Sequence, residues 1–430
     1  MDQSLLINGV HLALAAAGFG SILLASRSAR FANWLWPLTI GASAIVAVFL
    51  FFVSDPGTIF EDFRKAYWVA GAALAHPPHN LEHVFEKNIM GFVNLPIVAL
   101  LFAPFGMLDQ RVAGALAAIP GGLAVLYSWH VLGKICRMNS TERALLLFAF
   151  ASFGPLIHSL RQGNMSHVVL AVLLWGAIRV QSKPNHAGAA MALATLIKPP
   201  LALVGVYFVA RQQWKLVAAF SAALAAIGAL SILIFGWQLH VVWFDNCIRP
   251  FLQGVIASYN AQSLPATMAR LEIGPSVFAD WPPYTLSPGA RAMQIALSLA
   301  ILASAVWGSI GVARTQFDLE FAMVLLLICL LSSLTWSHYY VWMLPALALL
   351  YKYTRPDEAP EFRPFLIAAY AFSAPAEFLS IPMREGDYPL ASIFTSHMFI
   401  GGLIAFVALV GIRRRVASPG RPSALSESVS

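Results

Sequence analysis

Carboxylates are scarce in this chain of 430 residues, which holds 20 Asp and Glu in all, yet Asp55, Glu61 and Asp62 fall within eight positions directly behind the apolar run 34–53. A carboxylate so placed can take the proton of a hydroxyl as that hydroxyl attacks. Cations and amides recur further along: Arg161-Gln162-Gly163-Asn164, Lys198 inside an apolar run, Asn260-Ala261-Gln262 with Arg270, and Trp336-Ser337-His338-Tyr339. Arginine, lysine or a protonated histidine can hold a leaving phosphate and stabilise its growing charge. The two sets together suit transfer of a group from a lipid-phosphate donor to a hydroxyl. A donor with a single phosphate needs less neutralisation than a diphosphate, so neither a metal nor another cofactor is expected. No DxD or HExxH pattern occurs, and His76, His79 and His83 around Pro77-Pro78 are a weak hint of a metal site.

The elements that must position these residues are apolar. Hydrophobic residues make up 59% of the chain and charged ones 11%, less than half the roughly 25% of a soluble domain. The mean hydropathy is +0.72. Runs long enough to cross a bilayer, each of about 20 residues, number roughly a dozen. The expected fold is therefore an all-α polytopic integral membrane protein with about 12 transmembrane helices. The net charge of +7 resides mostly in short loops and at the C-terminus, where it orients spans in the bilayer. It does not indicate nucleic acid. Cys136, Cys247 and Cys329 show no CxxC spacing, so neither a disulfide framework nor a thiolate metal site is expected.

Loop charge sets the orientation. Arg27 and Arg30 follow the first run, 5–25, and mark the cytoplasmic side, so the run 34–53 leads outward and leaves Asp55, Glu61 and Asp62 outside. The interval 60–109 is too apolar for a free loop and is broken by Pro77-Pro78, Pro96 and Pro104, which suggests short interfacial helices. The runs 112–132, 144–160 and 165–180 then alternate, placing Lys134, Arg137, Arg179 and Lys183 inside and Arg161 to Asn164 outside. The run 187–210 is cut by Lys198-Pro199-Pro200, and a hairpin of two short helices turning at Lys198 keeps Arg211 and Lys215 inside. Every unusual polar group then reaches the outer face.

Five motifs in one order carry a family resemblance: Glu61-Asp62-Phe63 with Tyr67-Trp68, Arg161-Gln162-Gly163-Asn164, Ile197-Lys198-Pro199, Asn260-Ala261-Gln262-Ser263-Leu264 with Arg270, and Trp336-Ser337-His338-Tyr339. The chain resembles glycosyltransferase family 87 of the C-type (GT-C) superfamily, whose members use polyprenol-phosphate mannose. The resemblance implies a GT-C fold and an inverting transfer of mannose or a similar sugar from a polyprenyl monophosphate to a glycolipid or glycan acceptor. It also implies an inner-membrane enzyme whose site faces the periplasm or extracellular space. The catalytic acidic residue of the family corresponds to Asp62, with Asp55 as the second candidate. Arg161, Lys198, His338 and Arg270 are candidates for the donor phosphate. Gln162, Asn164, Asn260, Gln262, Tyr67, Trp68 and Tyr339 are candidates for sugar or acceptor. Ala261 separates two amides that are more often adjacent in the family.

The implied domains are an extra N-terminal span and cytoplasmic loop (1–33), a GT-C catalytic module (34–236), an outer loop with a variable C-terminal transmembrane module (237–415), and a disordered cytoplasmic tail (416–430). Asp62 could instead pair with Arg64 or Lys65 as a solvated interface charge. The rival function is a secondary transporter or lipid-linked sugar flippase, supported by the broken hairpin and its membrane-embedded cation.

Overall fold

Two long helices, α1 (Gln3–Arg27) and α2 (Leu35–Phe52), open the chain. The structure is a computed structural model that describes residues 3–53, 56–77, 80–87, 91–274, 278–279, 281–310, 316–375 and 388–417. Asp55, His79 and the tail beyond Ala417 lie outside these described residues.

Behind α2 the proline-broken interval folds into short pieces, as its sequence suggests. A 3-10 turn (Pro56–Thr58) and a π-helical turn (Phe63–Trp68) lead into α3 (Val69–Ala75) and α4 (Leu81–Phe85), then a 3-10 stretch (Pro96–Phe102) and α5 (Ala103–Gly106). Proline starts the stretch at Pro96, where its missing N–H costs nothing. α6 (Gln110–Ile135) is long, with Asp109 accepting from two backbone N–H groups at its start. α7 (Ser140–Ala151) begins on an Asn139–Glu142 capping box and meets α8 (Gly154–Gln162) at a 54° bend.

α9 (Ser166–Ala177) leads to α10 (Pro184–Ile197), a 3-10 turn (Pro199–Ala202) and α11 (Leu203–Ala210). Gly188 of α10 and Gly205 of α11 both pack against Phe220. The chain therefore reverses at Lys198, as the hairpin reading requires. α12 (Trp214–Trp243) is broken at Gly236, where φ is 76° and ψ 159°. α13 (Arg249–Gln253) and α14 (Leu264–Ile273) occupy the following long loop, and α15 (Pro288–Ser309) and α16 (Phe317–Leu331) follow it. A 3-10 segment (Ser337–Met343), α17 (Leu344–Tyr353), α18 (Arg363–Ser373), α19 (Tyr388–Thr395) and α20 (His397–Ala417) complete the chain.

The described residues are thus all-helical, with two isolated bridges, Val255–Tyr284 and Ala261–Trp336, in place of any sheet. Among the described residues five helices are long and apolar enough to cross a membrane, or up to seven if each of two bent pairs counts as one span. The largest core cluster joins α16, the Ser337–Met343 segment, α17 and α20, with Trp342 and Tyr340 fully buried. Ile45 of α2, Leu233 of α12 and Leu299 of α15 are exposed. Such apolar surfaces suit hydrocarbon, since helices satisfy their own backbone groups. At the end of the bundle away from Asp62, buried Glu320 accepts from Arg413 at 2.6 Å and from Arg211 at 3.0 Å.

Candidate active site

Asp62 sits immediately before the π-helical turn Phe63–Trp68. A wide turn of this kind re-aims side chains and is frequent at functional sites. The local backbone is held from outside: Phe60, at φ 56°, donates its N–H to the Arg161 carbonyl at 2.7 Å. Asp62 Oδ2 accepts from Asn164 Nδ2 at 2.9 Å. Asn164 is itself fixed, because its Oδ1 accepts from both the N–H (3.0 Å) and the hydroxyl (2.8 Å) of Ser166. The turn that presents Asn164 depends on Gly163, which caps α8 at φ 65° and whose absent Cβ would lie 2.6 Å from that of Phe63.

The cations beside Asp62 in sequence point elsewhere. Lys65 pairs with Glu61 at 2.5 Å and Arg64 donates to the Gly57 carbonyl at 2.6 Å. Among the described residues no cation stands within ion-pair distance of Asp62. The reading of Asp62 as a partner of Arg64 or Lys65 therefore fails. Burial raises its carboxyl above the ordinary value, while the Asn164 amide and the positive charge of Lys198 pull it part of the way back.

Lys198, at the tip of the α10–α11 hairpin, is buried with its ammonium 4.7 Å from the centre of the Tyr339 ring. Among the described residues it has no carboxylate partner. It is close enough to Asp62 to act on its charge. His338 is buried and stacked on His158, with ring centres 6.3 Å apart, and its Nε2 has no hydrogen-bond partner. Burial, with Lys198, His158 and His167 around it, pushes its pKa well below the usual value, so it stands as a neutral imidazole. The imidazolium expected from sequence is not its state here.

The other predicted residues divide by what they already hold. Arg161 donates from Nε to the Phe51 carbonyl at 3.0 Å and from its terminal nitrogen to Thr58, tying α2 and the Pro56–Thr58 turn to α8. Arg270 is fully buried and donates to the carbonyls of Ala257 (3.3 Å), Ser258 (2.8 Å) and Ala261 (2.7 Å) and to the Ser396 hydroxyl (2.8 Å). Gln262 donates to the Tyr259 and Thr395 carbonyls, and Asn260 accepts from the Ser258 hydroxyl through its side chain and from Ser337 N–H through its carbonyl. These groups bind the 257–263 loop to the Trp336–His338 segment. Gln162 keeps a buried Oε1 without a partner. Tyr67 stacks on Phe102 at 4.7 Å, while the indole of Trp68 donates to the Leu108 carbonyl.

The structure thus gathers Asp62, Asn164, Lys198, His338 and Tyr339, while Arg161 and Arg270 are engaged in holding backbone. His158 and His167 were missed by sequence reasoning. His167 meets the Ser159 hydroxyl at 2.9 Å. The signal was present, since these two histidines bracket Arg161-Gln162-Gly163-Asn164 three positions before Arg161 and three after Asn164. As for metal, His83 pairs with Glu86, His76 faces the Gly106 carbonyl, and no three His, Cys, Asp or Glu side chains converge among the described residues.

Residues 92–337 match the profile of Glycosyltransferase family 87. The chain is 24% identical over 306 residues to a Mycobacterium tuberculosis protein named polyprenol-phosphate-mannose-dependent alpha-(1-2)-phosphatidylinositol mannoside mannosyltransferase, covering 67% of this chain and 66% of that one. Its Mycolicibacterium smegmatis namesake is 25% identical over 318 residues, covering 68% and 67%. The Mycolicibacterium smegmatis polyprenol-phosphate-mannose-dependent alpha-(1-2)-phosphatidylinositol pentamannoside mannosyltransferase is 25% identical over 324 residues, covering 74% and 75%. The chain spans just under two thirds of the first relative's length.

Proposed function

Because the chain belongs to glycosyltransferase family 87, we propose that it moves mannose from a polyprenyl monophosphate to a hydroxyl of a glycolipid or glycan, with inversion and with Asp62 as general base. In this reaction the acceptor oxygen forms a bond to the anomeric carbon as the bond from that carbon to the phosphate oxygen breaks on the opposite face. The acceptor proton passes to Asp62, and the polyprenyl phosphate leaves with the bonding pair. Lys198 supplies the positive charge that meets the leaving phosphate, and His338 offers its unpartnered Nε2 to the same oxygens. Asn164 keeps Asp62 aimed, and Gln162 Oε1 is available to a sugar hydroxyl. Arg161 and Arg270 serve as struts for the two loops that meet here.

The observation that carries this reading is the pairing of Asp62 with a neutral amide while Arg64 and Lys65 bind other groups. A general base must keep its carboxylate free of a counter-ion that would lower its basicity. Family membership favours the enzyme over the transporter or flippase. The site would face the periplasm or extracellular space across an inner membrane crossed about 12 times.

The test is transfer of labelled mannose from polyprenyl-phosphate mannose into a membrane extract by purified wild type and by Asp62→Asn. We expect labelled glycolipid from wild type and a loss of at least about a hundredfold in the variant, the scale of a lost general base. Equal labelling by both would remove Asp62 from the chemistry. Burial that raises a carboxyl means the folded protein binds more protons than the unfolded chain between the two pKa values, so stability falls as pH rises through that window. Asp62→Asn should therefore melt at or above the wild-type temperature at neutral pH.

A further inference from the structure

Outside the Asp62 site lies a second feature that the transfer reaction does not use. A groove of about 530 Å³ runs between α6, α9 and α10, walled by Val172, Ala189 and Leu193, with Tyr127, Trp175 and His186 at its far end. Its volume falls within the roughly 300–1,000 Å³ of a small-ligand site. Its walls are almost wholly apolar, and cations follow in the chain beyond that far end. The Arg179 guanidinium lies 4.0 Å above the Trp175 ring. Lys183 is exposed on the α9–α10 connection, and Lys134 is exposed two helical turns beyond Tyr127 on the same side of α6.

Several other cations at the same end are neutralised by carboxylates. Arg211 and Arg413 pair with Glu320, Lys352 with Asp318, and Arg355 with Glu142. Among the described residues Lys134, Arg179 and Lys183 have no carboxylate within ion-pair distance. An apolar trough ending in unneutralised cations complements a molecule with a hydrocarbon chain and an anionic head. Basic pockets between membrane helices bind anionic lipid head groups in this way.

We infer that this groove binds an anionic glycerophospholipid of the leaflet opposite the Asp62 side, acyl chain along α9 and α10, phosphate against Lys134, Arg179 and Lys183. A polyprenyl phosphate bound for transfer fits less well. Its phosphate must reach Lys198, and Ser166 and Arg179 alone are separated by about 20 Å of helix. The occupied groove would brace α9, whose first residue, Ser166, holds Asn164.

The test uses the full chain in detergent, analysed by native mass spectrometry after addition of phosphatidylglycerol or phosphatidylcholine. Wild type should retain phosphatidylglycerol in preference. The triple variant Lys134→Gln/Arg179→Gln/Lys183→Gln should lose that preference, by about fivefold per charge and about a hundredfold in all. Ala189→Trp, which fills the groove without touching a charge, should reduce retention of both lipids. Three results would each overturn the inference: equal retention of the two lipids by wild type, undiminished phosphatidylglycerol binding by the triple variant, or stoichiometric displacement of phosphatidylglycerol by polyprenyl phosphate. None of these readouts depends on catalysis, so the inference and the proposed reaction fail separately.

Discussion

At the scale of the residue, the behaviour of Asp62 is decided by what is absent from its neighbourhood. With an amide rather than a cation on its oxygen and with burial raising its pKa, it becomes a base only as pH climbs above the ordinary carboxylate range. The rate kcat/KM should therefore rise with pH along an acidic limb displaced upward from the ordinary carboxyl value of 3.8. Lys198 lowers the pKa of Asp62, so Lys198→Met should move the limb to still higher pH as well as slowing transfer. A pH–rate profile of the two proteins checks both, and an unmoved limb would mean that the two side chains do not share a field. Asp62 and Lys198 were legible in the sequence because a carboxylate behind a span and a cation inside an apolar run are both costly to keep. Arg161 and Arg270 were not. A guanidinium carries five donors that serve carbonyls as well as phosphate, and sequence cannot say which acceptors are nearer.

At the scale of the element, the α8–α9 turn matters most. Its left-handed glycine allows Asn164 to reach Asp62, and the space beside it is taken by Phe63. Gly163→Ala should cost about 1–2 kcal/mol from backbone strain alone, plus the collision with Phe63, and should cut transfer more than tenfold. Gly163→Asn relieves part of the backbone strain but keeps the collision, so it should rescue stability only in part. Full rescue in a melting experiment would assign the whole effect to φ. The α10–α11 hairpin was readable, since Lys198-Pro199-Pro200 combines a buried charge with two residues that end a helix. The length of the other elements was harder to read. Bends such as that between α7 and α8, and 3-10 segments such as Ser337–Met343, break apolar runs without an obvious polar signal.

At the scale of the whole molecule, Glu320 joins α11, α16 and α20 through Arg211 and Arg413. Breaking a buried pair by removing one partner costs about 3–5 kcal/mol, and with Arg211 retained Arg413→Met should lie near the lower figure. Glu320→Met should cost more, because it strands the fully buried Arg413 guanidinium, and the double change Glu320→Met/Arg413→Met removes that stranded charge and should recover much of the loss. Thermal unfolding of Arg413→Met, Glu320→Met and the double variant checks this, and a double variant no more stable than Glu320→Met would show that the triad is not coupled.

The same helix reaches the opposite end of the bundle, where Thr395 at the end of α19 and Ser396 just before α20 hold Gln262 and Arg270. The loop beside His338 is therefore clamped by residues near the C-terminus. During synthesis the helices that carry Asp62, Asn164 and Lys198 enter the membrane well before their last supports exist. A nascent chain paused before α19 would hold every proposed catalytic side chain and yet lack a finished site. Transfer by the proposed site should therefore wait on insertion of α19 and α20, however early its catalytic side chains are in place.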